Sequence, residues 1–248
     1  MAITVSQNQA GTQTTTASGS YSVSATSFTP ASGDLMLAYV TIFDAADGSA
    51  VCTGGDVAWT LVANEDGTGS VGLANRDGFV FRSTATAATA VVVSCGYTAL
   101  TTGGYAYIRA LALQGHGGVG SVFATSTDAN STLFIGSVSH SASSAIFASH
   151  HTTQPDGNLP TTFTGAGSMS SALAGAIGTI ALNIAYNLDI GASGTETVQW
   201  GTTPGTTVAR RRYFLVEVLP AATVTFNYNL LEHRVMRGAG RGLMRGVA

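Results

Sequence analysis

The chain has no lysine, and all ten of its basic side chains are arginines. Charged residues make up 9% of its 248 positions, where an ordinary soluble domain carries about a quarter. With a net charge of -3, the chain has no general attraction to nucleic acid, which is not an expected partner. A hydrophobic content of 45% excludes disorder driven by charge. A surface of Thr, Ser, Asn and Ala with few charges is poorly soluble alone, which points to life inside a larger assembly. There are two cysteines, Cys52 and Cys95, too few for a disulfide framework. Cys95 lies in the apolar run VVVSCG and reads as a buried free thiol. No apolar run approaches the roughly 20 residues that span a bilayer, so no membrane association is expected. The start, MAITVSQNQAGTQTTT, has neither the basic region nor the apolar run of a signal peptide, so synthesis in the cytoplasm is expected.

Helical periodicity is missing as well. Short runs rich in Val, Ile, Phe, Tyr and Thr alternate with Gly, Asp and Asn turns, the pattern of strands. Strands are expected at 20–27, 35–43, 59–64, 70–74, 78–83, 90–95 and 105–114. In the second half they are expected at 132–137, 144–150, 177–188, 196–200 and 211–219, with a last one at 223–230 (TVTFNYNL). The run GAGSMSSALAGA at 165–176 fits either a helical turn or a small-residue strand. Asn75-Arg76-Asp77-Gly78 reads as the tight turn of a hairpin, with Asp-Gly supplying positive φ.

The two halves share a rhythm. Each has a long apolar strand and a strong closing strand, YAYIRALALQ and then YFLVEVLP. The expected fold is therefore all-β: a jelly-roll-like antiparallel β-sandwich of two similar halves with an extended C-terminal arm. The body spans 1–222, with halves at about 1–118 and 119–222. The alternative is two small β domains in tandem, linked by 115–119. Residues 223–248 form a terminal strand and an arm.

Chemical motifs are sparse. GxGxxG occurs at 67–72 and 115–120, but neither has the strand-then-helix setting that phosphate binding needs, so both read as turns. His150 and His151 are adjacent and face opposite sides of a strand, so they cannot hold one metal from one face. With His116, His140 and His233 they read as surface or interface residues, and no metal or other cofactor is expected. There is no GxSxG elbow. The acids, such as Asp44, Asp47, Glu65, Asp66 and Asp156, sit in turn contexts and are explained by turn chemistry. No catalytic residue is therefore assigned, and the chain is read as a non-enzyme. Arg210, Arg211 and Arg212 open a strand. They read as a solvated strand entrance, with a secondary contact to acidic or phosphate groups as the functional alternative. Tyr105 and Tyr107 share a strand face, as do Phe226 and Tyr228. Such pairs pack into cores more often than they form glycan platforms.

The last fourteen residues, VMRGAGRGLMRGVA, differ from everything before them. They hold three of the ten arginines and four glycines, and VMRG recurs as LMRG. Arg234, Arg237, Arg241 and Arg245 would line one helix face. Gly238, Gly240, Gly242 and Gly246 each cost about 1 kcal/mol inside a helix, so an extended arm is expected until a partner orders it. Arginine forks suit carboxylates, methionine fills irregular pockets, and glycine allows close backbone approach. Arg234, Met236, Arg237, Arg241, Leu243, Met244 and Arg245 are the expected docking residues, for protein rather than nucleic acid.

One resemblance bears on this. SFTPASGDLMLAYVTI, VAWTLV, FVFRS and YAYIRALALQG, over about residues 20–118, resemble a β-sandwich domain that recurs in tailed-bacteriophage structural proteins. The usual Gly before Trp is Ala58 here, and the second half has no equivalent Trp. The resemblance implies a virion component: a head decoration or minor capsid protein, or else a tail or fibre protein. It implies other virion proteins (capsid, neck or tail subunits) and copies of the chain as partners. A glycan-binding module for a host surface is the reading from another class.

Overall fold

The computed structural model describes residues 2–43, 50–55, 57–65, 76–99, 104–127, 133–152, 162–164, 169–177, 180–201 and 211–222. Among these there is no helix. The first half contains β1 (Thr4–Thr14), β2 (Gly19–Ser24), β3 (Leu35–Phe43), β4 (Val51–Thr53), β5 (Thr60–Glu65), β6 (Arg76–Thr84), β7 (Ser94–Ala99) and β8 (Tyr105–Gln114). The second contains β9 (His116–Thr127), β10 (Leu133–His140), β11 (Ala145–Thr152), β12 (Thr162–Thr164), β13 (Ser170–Ile177), β14 (Ile180–Asn187), β15 (Gly194–Gly201) and β16 (Arg211–Pro220).

The strands form four antiparallel sheets. The first half makes a five-stranded sheet, β1-β8-β3-β6-β5, and a three-stranded one, β2-β7-β4. The second half makes β9-β16-β11-β14-β13 and β10-β15-β12. The second pair repeats the order of the first strand for strand. Each half is thus a two-sheet unit, and the loose rhythm seen in the sequence is a repeat of topology.

The five-stranded sheets pack against each other, so the molecule has four layers. This explains why β3 reads LMLAYVTIF without polar alternation: both of its faces are covered. Met36, Ala38, Val40 and Ile42 join the core under the small sheet of their own unit. Leu35, Leu37 and Tyr39 point the other way, into a core shared with Phe147, Ile184, Phe214 and Val216 of the second unit. On β16, Phe214, Val216 and Val218 enter that shared core, while Tyr213 and Leu215 face the second unit's own small sheet. Burying a side chain of this size is worth about 1.5–3 kcal/mol, so the shared core holds the units together.

Several expectations change on contact with the structure. β3 and β8 lie where the sequence placed them. β1 and β9 carry weak sequence signals: their sides are half-exposed and rich in Thr, Gln, Ser and Gly. Of the stretch 115–119, only Gly115 lies between strands. With φ of 72° it turns the chain from β8 into β9, and a Cβ there would strike the Ala2 carbonyl. Asp77 and Gly78 are not a turn but belong to β6, which pairs with β5. Small residues at 170–177 form strand β13 rather than a helix. The expected strands at 70–74 and 223–230 lie outside the described residues.

The cysteines are a second correction. Cys52 on β4 and Cys95 on β7 are direct cross-strand partners joined in a disulfide, so Cys95 is not a free thiol. Their 43-residue separation in sequence gave no hint, because only strand register brings them together.

Candidate functional site

The most unusual chemistry of the body lies where β11 and β16 run side by side. His150 pairs with Tyr213, His151 with Arg212, and Thr152 with Arg211. His150, His151, Arg211 and Arg212 are each at most 2% exposed. The histidines are therefore core residues, not surface ones, and Arg211 and Arg212 are not a solvated strand entrance. Alternation sends them to opposite faces, as the sequence required.

His151 enters the core between the units. Its Nδ1 lies 2.7 Å from Thr41 Oγ1 of the first unit, and its Nε2 lies 3.0 Å from Ser149 Oγ. Its ring meets Phe214 edge-on at 4.8 Å. Burial, reinforced by Arg212, pushes its pKa down to about 3, so the ring is neutral, donating from one nitrogen and accepting at the other. Ser149, His151 and Thr41 have the outline of a nucleophile relay. However, all three are buried between packed sheets and the third member is a hydroxyl, not a carboxylate. This geometry ties the units together.

His150 faces the other way, stacked on Tyr213 at 4.9 Å. Burial first, then Arg211 and His151, holds it well below the usual histidine range. The two units differ here. In the first unit, one row across the sheet is Phe79–Val40–Ile108. The matching row of the second is Asn183–His150–Tyr213. An apolar row has become a polar one.

Glu217 and Arg109 are also absorbed by the scaffold. Glu217 accepts hydrogen bonds from the backbone N–H groups of Ser121 and Ser141 and from the Ser144 hydroxyl. Burial alone would raise its carboxyl, but these donors hold it below the usual value. Arg109 donates to Asn8 Oδ1, to the Tyr107 hydroxyl and to the Ala174 carbonyl of the other unit. Tyr107 is 4% exposed and packs in the shared core, with Tyr105 against it, so this pair is no glycan platform. Among the described residues no group of three or more His, Cys, Asp or Glu side chains could hold a metal ion.

Among the described residues the outward faces of the small sheets carry hydroxyls, with Val51 and Ile135 exposed among them, instead of charge. Ser24 meets Ser94 at 2.6 Å on one small sheet, and Ser137 meets Thr197 at 2.9 Å on the other. The chain leaves the second unit at Pro220, which pairs with His116, and Ala221 N–H donates to the Gly115 carbonyl. A surface cavity of about 460 Å³ lies at this exit, lined by Ile3, Ser143, Leu188, Asp189, Pro220 and Ala221 among others. The docking residues expected from sequence, Arg234, Met236, Arg237, Arg241, Leu243, Met244 and Arg245, lie outside the described residues, as does Arg210.

Sequence reasoning missed the buried status of His150, His151, Arg211 and Arg212. The available signal was the run of uninterrupted strand on either side of them: a strand covered on both faces buries whatever it carries. No family model, no curated protein and no solved structure matches the chain.

Proposed function

We propose that this chain is a non-enzymatic structural component of a tailed-phage virion. In this reading it is a head-decoration or minor capsid protein, held on neighbouring subunits by its C-terminal arm. The observation that carries the reading is a division of labour. Within the body, Glu217, Arg109, Arg211 and Arg212 are bonded or buried inside the scaffold, and the outward faces of the small sheets carry hydroxyls. The arm then concentrates arginine, methionine and glycine in a segment free of sheet patterning. Such a body supplies rigidity, and such an arm supplies contacts. A compact double unit without fibrous repeats suits the head surface better than a fibre.

The disulfide adds support. Disulfides are maintained in oxidising surroundings, and a particle released from a lysed cell enters them. Cys52–Cys95 would then lock a protein that was folded reduced.

The test is deletion of residues 232–248. Truncated protein should fail to incorporate into particles while keeping its body folded by circular dichroism. Full-occupancy incorporation of the truncated chain would refute the anchor role.

A further inference from the structure

The repeated topology bears on residues 223–230. In each unit the first strand pairs with the last: β1 with β8, and β9 with β16. The chain also passes from the last strand of one unit straight into the first strand of the next. β8 ends at Gln114, Gly115 turns, and β9 begins at His116. β16 ends at Pro220, and after Ala221 and Ala222 comes TVTFNYNL. This octet alternates strictly, with Thr223, Thr225, Asn227 and Asn229 on one side and Val224, Phe226, Tyr228 and Leu230 on the other. That is the pattern of a strand with one covered face. In sequence order it follows β16 as β9 follows β8. Residues 231–248, with their glycines and arginines, carry no alternating apolar pattern.

A strand of this kind needs an open sheet edge, and the body presents one. β1 is an outer strand of eleven residues, TVSQNQAGTQT, without a charge or a proline. Natural edge strands are usually blunted by such residues. Its outward backbone is met only locally among the described residues, where Thr26 N–H donates to the Ala10 carbonyl. The two large sheets are also offset: β13 packs over β8, and β9 over β5, which leaves β1 at the overhanging margin. The exit of the chain sits beside the start of this strand, since Ala2, Ile3, Pro220 and Ala221 line one cavity. With donor and acceptor close together on one surface, two copies facing each other can exchange strands reciprocally, the self-complementary arrangement of a twofold dimer.

We infer that residues 223–230 add as a strand to the β1 edge of a second copy of this chain, forming a strand-exchanged dimer. This deepens the assembly reading, but the strand is distinct from the 232–248 arm, so the two can fail separately.

The test uses the full-length chain and its mass by sedimentation velocity from micromolar to about 100 µM. The unaltered protein should be dimeric. Asn227→Pro, which breaks strand pairing in the donor, should give monomer. Gln7→Lys with Gln9→Lys, which charges the acceptor edge, should also give monomer. Circular dichroism should be unchanged in both variants, and neither touches the arm. Deleting 232–248 should leave the dimer intact even where it abolishes particle incorporation. A wild-type chain that stays monomeric over the whole range would overturn the inference. So would a dimer that survives both sets of substitutions, or protection of 223–230 from hydrogen exchange in a monomer, which would place the strand on its own body.

Discussion

Thr41 Oγ1 of the first unit and His151 Nδ1 of the second lie 2.7 Å apart, a hydrogen bond buried between the two large sheets. It joins positions 110 residues apart in sequence, and burial in this apolar layer keeps the imidazole uncharged.

Acid should therefore loosen the protein. Folded His151 has a pKa of about 3, and His150 is also held well below 6.5. Between these values the unfolded chain binds protons that the folded chain does not. Stability is then fully present above pH 6.5 and falls as the pH drops towards 3. The slope approaches about 1.4 kcal/mol per pH unit for His151. Urea midpoints measured from pH 7 to pH 4 should fall steadily, and His151→Gln should flatten the decline. A midpoint independent of pH over this range would contradict the buried neutral state.

Glu217 adds a second acid-sensitive element at lower pH. Its folded carboxyl lies below 4.5 because Ser121, Ser141 and Ser144 donate to it. This contribution is present above 4.5 and is lost as the pH falls further. Glu217→Gln turns one carboxylate oxygen into an NH2 group that faces the Ser121 N–H while the amide oxygen keeps Ser141 and Ser144, and should cost about 2 kcal/mol at pH 7. Chemical denaturation of the variant at pH 7 and pH 3.5 should show a smaller penalty at the second than at the first.

Reducing Cys52–Cys95 should lower the melting temperature. Chain-entropy arguments give about 4 kcal/mol for a loop closed over 43 residues. Cys52→Ala with Cys95→Ala should reproduce the effect of reductant, and adding reductant to that variant should change nothing further. Equal melting points with and without reductant would show that the bond does not hold β4 to β7.

The contact between β8 and β13 is testable through a glycine. A Cβ on Gly175 would collide with the Tyr107 hydroxyl, which accepts from Arg109 at 2.9 Å. Gly175→Ala should destabilise by about 1–3 kcal/mol through overpacking. Tyr107→Phe should recover part of that loss in the double variant, a coupling that a thermodynamic cycle would read directly. Additive effects would mean the two residues do not meet.

The sequence by itself determined the class of fold and much of its strand content. LMLAYVTIF and YAYIRALALQ are largely apolar, with β-branched and aromatic residues among them, so burial and strand form follow from local chemistry. It also determined that His150 and His151 must part company, because alternation is a property of the extended backbone. Which layers those faces would meet was decided only by the tertiary structure. Nothing local shows that the large sheets of two repeated units close on each other and bury Arg211, Arg212 and both histidines. Nor does anything local show that register sets Cys52 opposite Cys95. β1 and β9 were hidden for the same reason: as half-exposed strands at sheet edges they take their form from the strand beside them, not from their own apolar pattern. Pattern is written residue by residue, whereas pairing and stacking are chosen by the free energy of the whole assembled core.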